Sequence, residues 1–144
     1  MKKKVIIYTA IFGGYDELLE PEYIPDNCDF VCFTDSTHFK SDVWDIRVVT
    51  PYYEQPVRSS RYYKTKPHVF FPDYEISLWI DGTIVVKNDI HYLIEDHLSN
   101  SNMACFNHNW TVLDPHDCAY FSAQYILQLG EKNYKKNPEL GLKT

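Results

Sequence analysis

No stretch of this chain approaches the roughly 20 consecutive apolar residues that a membrane-spanning helix needs. The basic run Lys2-Lys3-Lys4 leads only into a strand-length apolar segment, Val5 to Phe12, and not into a signal sequence. A soluble, cytoplasmic protein without a transmembrane segment is the expectation. Cysteine is scarce and its spacing is uninformative: Cys28, Cys32, Cys105 and Cys118 form no C-x-x-C pair, so zinc clusters and disulfide frameworks lack support. Positive charge is short as well, with 14 Lys and Arg against 20 Asp and Glu and a net charge of −6. Nucleic acid would have to be gripped by a local patch, so bulk electrostatics argue against DNA or RNA as partners. Also missing is a glycine-rich phosphate loop with basic residues after the first strand, which a nucleotidyltransferase would want. Gly13-Gly14 is followed by Tyr-Asp-Glu, the wrong charge for cradling a triphosphate. Internal repeats and low-complexity tracts are absent.

What is present is enough apolar material for one core. At 144 residues and 44% hydrophobic content, a single domain over residues 1–144 is expected. Aromatic residues reach 16% and include 12 tyrosines, which suit stacking on sugar rings or bases and equally suit wet-edged strand packing. Val5 to Phe12 is a continuous apolar run ending at Gly13-Gly14, the pattern of a strand buried on both faces. Asp29 to Asp35 repeats the design, and Trp44 to Val49 looks like a third, half-exposed strand. Val57 to Phe71 reads as helix after Gln55-Pro56, with Pro67 breaking or kinking it. Glu75 to Ile80 is the fourth strand. Asn88 or Asp89 caps a short helix from Ile90 to Leu98, and Met103 to Phe106 is a fifth strand. Asp114-Pro115 opens a helix running to about Leu129, with Gly130 as its stop. Residues 131–144 form a polar tail, either docked irregularly or marking a truncated C-terminus. Strands alternating with helices predict an α/β fold, a mostly parallel Rossmann-like sheet with helices on both faces.

Three strand ends carry the chemistry. Gly13-Gly14-Tyr15-Asp16, Thr34-Asp35 and Asp81-Gly82 each follow a strand, so in a parallel sheet all three open on one edge. Asp81 is the first candidate, because an apolar strand delivers its carboxylate to the place where ligands bind in open α/β sheets, and Gly82 permits close approach. An ordinary Asp-Gly turn explains the same pair. Arg58, Arg61 and Lys64, spaced by three, would share one helix face and clamp a diphosphate; on spacing alone a solvated charged face, which is what such a stripe usually is, is the favoured alternative.

The ordered set Ile7-Tyr-Thr-Ala-Ile-Phe-Gly-Gly-Tyr-Asp16, Phe33-Thr-Asp35, Arg58-x-x-Arg61-x-x-Lys64-x-Lys66-Pro67-His68 and Leu78-Trp-Ile-Asp-Gly-x-Ile84 resembles a glycosyltransferase-like family of bacteria and plants. That family was long catalogued as a domain of unknown function, and its plant members are linked to wall polysaccharide synthesis. The similarity covers residues 5 to about 95. It implies a glycosyltransferase A-type fold that passes a sugar from a nucleotide-sugar donor to a glycan or glycolipid acceptor hydroxyl. The alternative is a non-catalytic nucleotide- or glycan-binding module of the same fold. On this resemblance Thr9, Phe12, Gly13 and Tyr15 line the nucleotide pocket and Asp35 lies near base or ribose. Arg58, Arg61 and Lys64 face the diphosphate, and Asp81-Gly82 stands where related folds hold a divalent metal, Mn²⁺ or Mg²⁺. The motif here is Asp81-Gly-Thr83, so Asp81 is the one strong carboxylate ligand.

Downstream, the family's histidine, Arg-Asp-Cys, tyrosine and paired glutamates correspond to His108, His116-Asp117-Cys118, Tyr120 and Phe121-Ser122. The glutamate pair is therefore missing. Asp117 or His116 is the expected substitute base, although an Asp in a first helical turn also suits the helix dipole.

Overall fold

The computed structural model describes residues 3–105. The chain divides into two compact units, Met1–Asp96 and His97–Thr144, and the sheet belongs entirely to the first. Its centre is strand β1, Val5–Ile11, in which all seven residues are buried. β-Branched and aromatic side chains on both faces fit a strand covered on both sides. Strand β2, Cys28–Thr34, and strand β4, Ile76–Trp79, flank β1, and strand β3, Trp44–Val48, lies outside β2. The order β3-β2-β1-β4 is parallel throughout, with Tyr8 opposite Val31 on one side and Trp79 on the other. It is the arrangement of one half of a doubly wound sheet, whose order reverses between β1 and β4. Such a reversal leaves a crevice beyond the carboxyl ends of those two strands.

Alternation along β1 sorts the core into two layers. Val5, Ile7 and Ile11 pack with Phe30, Cys32 and Trp44, and with Ile90 and Ile94 at helix α3, His91–Leu98. Ile6, Tyr8, Ala10 and Phe12 point the other way, packing with Phe33, Tyr63 and Phe71 under helices α1, Pro56–Lys64, and α2, Pro67–Phe70. Helices thus cover both faces. Each fully buried aliphatic or aromatic side chain contributes about 1.5–3 kcal/mol. β3 is half-exposed, as its pattern predicts, and is anchored by Trp44, whose indole Nε1 donates to the Leu19 carbonyl at 3.0 Å.

The break at Pro67 is visible. α1 stops at Lys64, where Thr65 Oγ1 donates to the Arg61 carbonyl at 2.9 Å, and Pro67 restarts the chain as α2. Pro at the first turn of each helix removes an N–H that has no intrahelical partner. Arg61 and Lys64 occupy the last turn of α1, where positive charge complements the dipole. Asp89, one of the two expected caps, accepts from the His91 backbone N–H at 3.1 Å.

The fifth strand is corrected. Met103–Cys105 are exposed and carry no strand, since a short apolar run is compatible with a strand without requiring one. Phe106, His108, the helix from Asp114-Pro115, His116, Asp117 and the tail 131–144 lie outside the described residues. Within 3–105, no helix is long and apolar enough to cross a membrane.

Candidate functional site at the carboxyl edge of the sheet

Because every strand is parallel, the segments after β1, β2 and β4 do open on one edge. The first is a tight turn. Gly13 and Gly14 have φ of 65° and 64°, and Tyr15 N–H reaches the Phe12 carbonyl at 3.4 Å, the pattern of a type I′ turn. A Cβ on Gly13 would meet Pro56 Cγ at 2.6 Å, whereas one on Gly14 would meet nothing within 4 Å. The turn therefore sits hard against the start of α1 at its first glycine only. Asp35, at the end of β2, accepts from the Gly13 N–H with both carboxylate oxygens at 3.1 Å. Its first task is to fix the loop, and it remains exposed to anything that lies over it.

β4 delivers the third segment. Ile80 N–H continues the ladder to the Tyr8 carbonyl at 3.1 Å, after which the chain turns at Asp81, whose carbonyl accepts from Ile84 N–H at 2.9 Å. Gly82 is buried, and a Cβ there would lie 3.0 Å from Asp16 Cβ and 3.3 Å from Asp16 Oδ2. The two loops thus pack against each other through a glycine, bringing the Asp16 carboxylate beside Asp81-Gly82. Asp81 Oδ1 accepts from the indole Nε1 of Trp79 at 2.8 Å, and Lys64 Nζ stands 3.9 Å from the same oxygen and 5.2 Å from the Trp79 ring. With its side chain 63% exposed, Asp81 is held from one side and open on the other. Tyr8 ties the end of α1 to the sheet by donating its hydroxyl to the Lys64 carbonyl at 2.8 Å. Burial pushes that phenol up to about 12, so it remains a neutral donor.

The cationic stripe on α1 is split. Ser59 and Tyr63 face inward, so Arg58, Arg61 and Lys64 occupy the exposed half of the helix. At about 100° per residue, Arg58 and Lys64 diverge by roughly 120° around the axis. Lys64 meets Asp81 and Trp79, while the Arg58 guanidinium lies over the Tyr53 ring at 4.7 Å. Thr9 and Phe12, expected at the pocket wall, are 1% exposed. Phe12 stacks on Tyr63 beneath the glycine turn, and Thr9 Oγ1 is buried without a hydrogen-bond partner. Tyr15, at 75% exposure, is fully available.

Asp16 and Trp79 stand in the motifs the sequence singles out, but the sequence assigns neither a role of its own. Trp79 was within reach, since residues two apart on a strand point to one face. The direct contact of Asp16 with Gly82 was not, because it depends on β1 and β4 being neighbours in the sheet. Among the described residues no three His, Cys, Asp or Glu side chains form a metal-binding group. Asp81 is committed to Trp79 and faces an ammonium, so these residues do not make a self-contained site for a hard divalent ion, which prefers several oxygen ligands.

A family model described as the TOD1/MUCI70 glycosyltransferase-like domain matches residues 1–114. No curated protein and no solved structure matches the chain.

Proposed function

Since the chain belongs to the TOD1/MUCI70 glycosyltransferase-like domain family, we propose that it transfers a sugar from a nucleotide-sugar donor to a hydroxyl of a glycan or glycolipid. The observation that carries this reading is the meeting of the Gly13-Gly14 turn, Asp35, Asp16 and the Trp79–Asp81–Lys64 group at the β1/β4 switch point. A nucleotide laid over this edge would find Tyr15 and Asp35 available to base and ribose, with the glycine turn allowing close backbone approach.

In the reaction the bond between the anomeric carbon and the phosphate oxygen breaks, its electron pair leaves with the nucleoside diphosphate, and the acceptor oxygen bonds to the anomeric carbon. Negative charge grows on the diphosphate, so a cation fixed in advance lowers the barrier. Lys64 has that place. Trp79 fixes Asp81, Asp81 holds the Lys64 ammonium, and the ammonium is presented to the donor phosphates, with Arg61 one turn away on the exposed side. Mn²⁺ or Mg²⁺, where a donor carries one, would supply further positive charge at the diphosphate. Asp117 and His116 are our candidates for taking the acceptor proton.

Incubation with a panel of nucleotide sugars should release nucleoside diphosphate, and Asp81→Ala should abolish release without unfolding the chain. Nucleotide binding without release from any donor would make the protein a binding module of this fold.

A further inference from the structure

The loop between β3 and α1 builds an exposed aromatic surface that the donor site leaves unused. Tyr52 is 61% exposed and stacks on Tyr62 with ring centroids 4.1 Å apart and planes only 7° from parallel. Tyr53 meets Tyr52 edge-on at 5.0 Å. Cations flank this cluster: Arg58 lies over Tyr53 at 4.7 Å, and Lys66 Nζ over Tyr62 at 4.2 Å. The loop is held rigidly from below. Ser59, fully buried, accepts from Tyr53 N–H at 2.9 Å and donates to the Tyr53 carbonyl at 2.8 Å. Rings locked in this way lose little freedom when a ligand covers them.

Charge identifies the occupant. At the cluster itself the cations Arg58 and Lys66 stand against the single nearby acid in the sequence, Glu54, within a chain whose net charge is −6. A locally cationic surface in an acidic protein selects a negatively charged partner. Flat rings favour a partner with flat faces of its own, and pyranose rings present C–H faces to aromatic π-systems. Tyr62 is faced by Tyr52 and by Lys66, so the open ring face is that of Tyr52, with Tyr53 edge-on beside it, on the flank of α1 away from the Lys64–Asp81 pair. From Arg58 to Lys64 the helix rises about 9 Å, a separation of the order of one or two sugar units.

We propose that Tyr52 and Tyr53, supported by Tyr62 and flanked by Arg58 and Lys66, form a binding platform for an anionic glycan, which serves as the acceptor chain. The acceptor role rests on the glycosyl-transfer reading above; the binding site stands without it. Arg58 then belongs to the acceptor side of α1, leaving Lys64 and Arg61 to the donor.

The test is an array of carboxylate-, sulfate- and phosphate-bearing oligosaccharides beside neutral counterparts, probed with the 144-residue chain. UDP and GDP titrations and vesicles of phosphatidylcholine containing phosphatidylserine run in parallel. Acidic oligosaccharides should bind more tightly than neutral ones. Tyr52→Ala and Lys66→Gln should each weaken that binding about tenfold and leave nucleotide affinity unchanged; the exposure of Tyr52 keeps its variant folded. Equal binding of neutral and acidic glycans, or an unaffected Tyr52→Ala variant, overturns the platform. Loss of nucleotide affinity in Tyr52→Ala would assign the rings to the donor, and Tyr52-dependent vesicle binding without glycan binding would assign them to a membrane surface; each also overturns it. Tyr52-dependent acidic-glycan binding in a chain that binds no nucleotide would sustain the platform while sinking the donor site.

Discussion

The indole N–H of Trp79 donates to Asp81 Oδ1 at 2.8 Å, so the last residue of β4 fixes the orientation of the carboxylate two residues further on. Trp79 carries the Lys64 ammonium on its ring as well, at 5.2 Å, which makes it the common support of the pair. Trp79→Phe keeps an aromatic ring against Tyr8 and removes only the donor N–H. Donor affinity should fall about tenfold, as expected for a lost hydrogen bond to a charged group, with folding stability changed by about 1 kcal/mol. Parallel nucleotide titration and chemical denaturation check both halves.

The two glycines of the first turn should respond differently to alanine. Both have positive φ, which alone disfavours alanine by about 1–2 kcal/mol. Gly13→Ala adds a collision with Pro56 Cγ at 2.6 Å, and Gly14→Ala meets open space. Urea denaturation should therefore show Gly13→Ala as the more destabilised by at least about 1 kcal/mol. Equal losses would contradict the packing of this turn against α1.

Tyr8 couples the sheet to the end of α1 and gives the fold an alkaline limit. Its folded pKa, raised by burial to about 12, exceeds the ordinary value of 10.0. The stabilisation it contributes is complete below pH 10 and is lost as pH rises towards 12, because the unfolded phenol ionises first. Tyr8→Phe removes the bond to the Lys64 carbonyl and should destabilise the fold by about 1 kcal/mol at neutral pH. It should also flatten the loss of stability between pH 10 and 12. A pH series of thermal melts on both proteins shows whether the alkaline limb belongs to this residue.

Gly82→Ala tests the approach of the two loops. The new Cβ would crowd both Asp16 Cβ at 3.0 Å and Ile11 Cδ1 at 3.1 Å, so the Asp81 turn must shift by a few tenths of an ångström. Nucleotide affinity should drop several-fold while the fold survives, since the core side chain met, Ile11, is touched at its flexible end, Cδ1. Unchanged affinity would place the donor elsewhere.

Much of this architecture is written locally in the chain. The unbroken apolar run of β1, the half-exposed pattern of β3 and the Pro67 break each follow from residues within a few positions, and the structure shows all three. Met103–Cys105 misled because a short apolar run fits a strand whether or not a neighbour exists to pair with it. The direction of the α1 cations was also illegible. Spacing by three places Arg58, Arg61 and Lys64 near one another, but burial of Ser59 and Tyr63 sets the helix azimuth and sends Arg58 to Tyr53 and Lys64 to Asp81. The contact of Asp16 with Gly82 depends on β1 and β4 being neighbours across 65 residues of sequence, Ile11 to Ile76, which no local pattern encodes.

Calorimetric titration with UDP and GDP, with and without Mn²⁺, on the wild-type chain and on Lys64→Gln tests the donor site most directly. Saturable binding of one nucleotide, weakened at least about tenfold in Lys64→Gln, is the predicted result. Binding of neither nucleotide, or equal binding by wild type and Lys64→Gln, would contradict a donor site built on the Trp79–Asp81–Lys64 group.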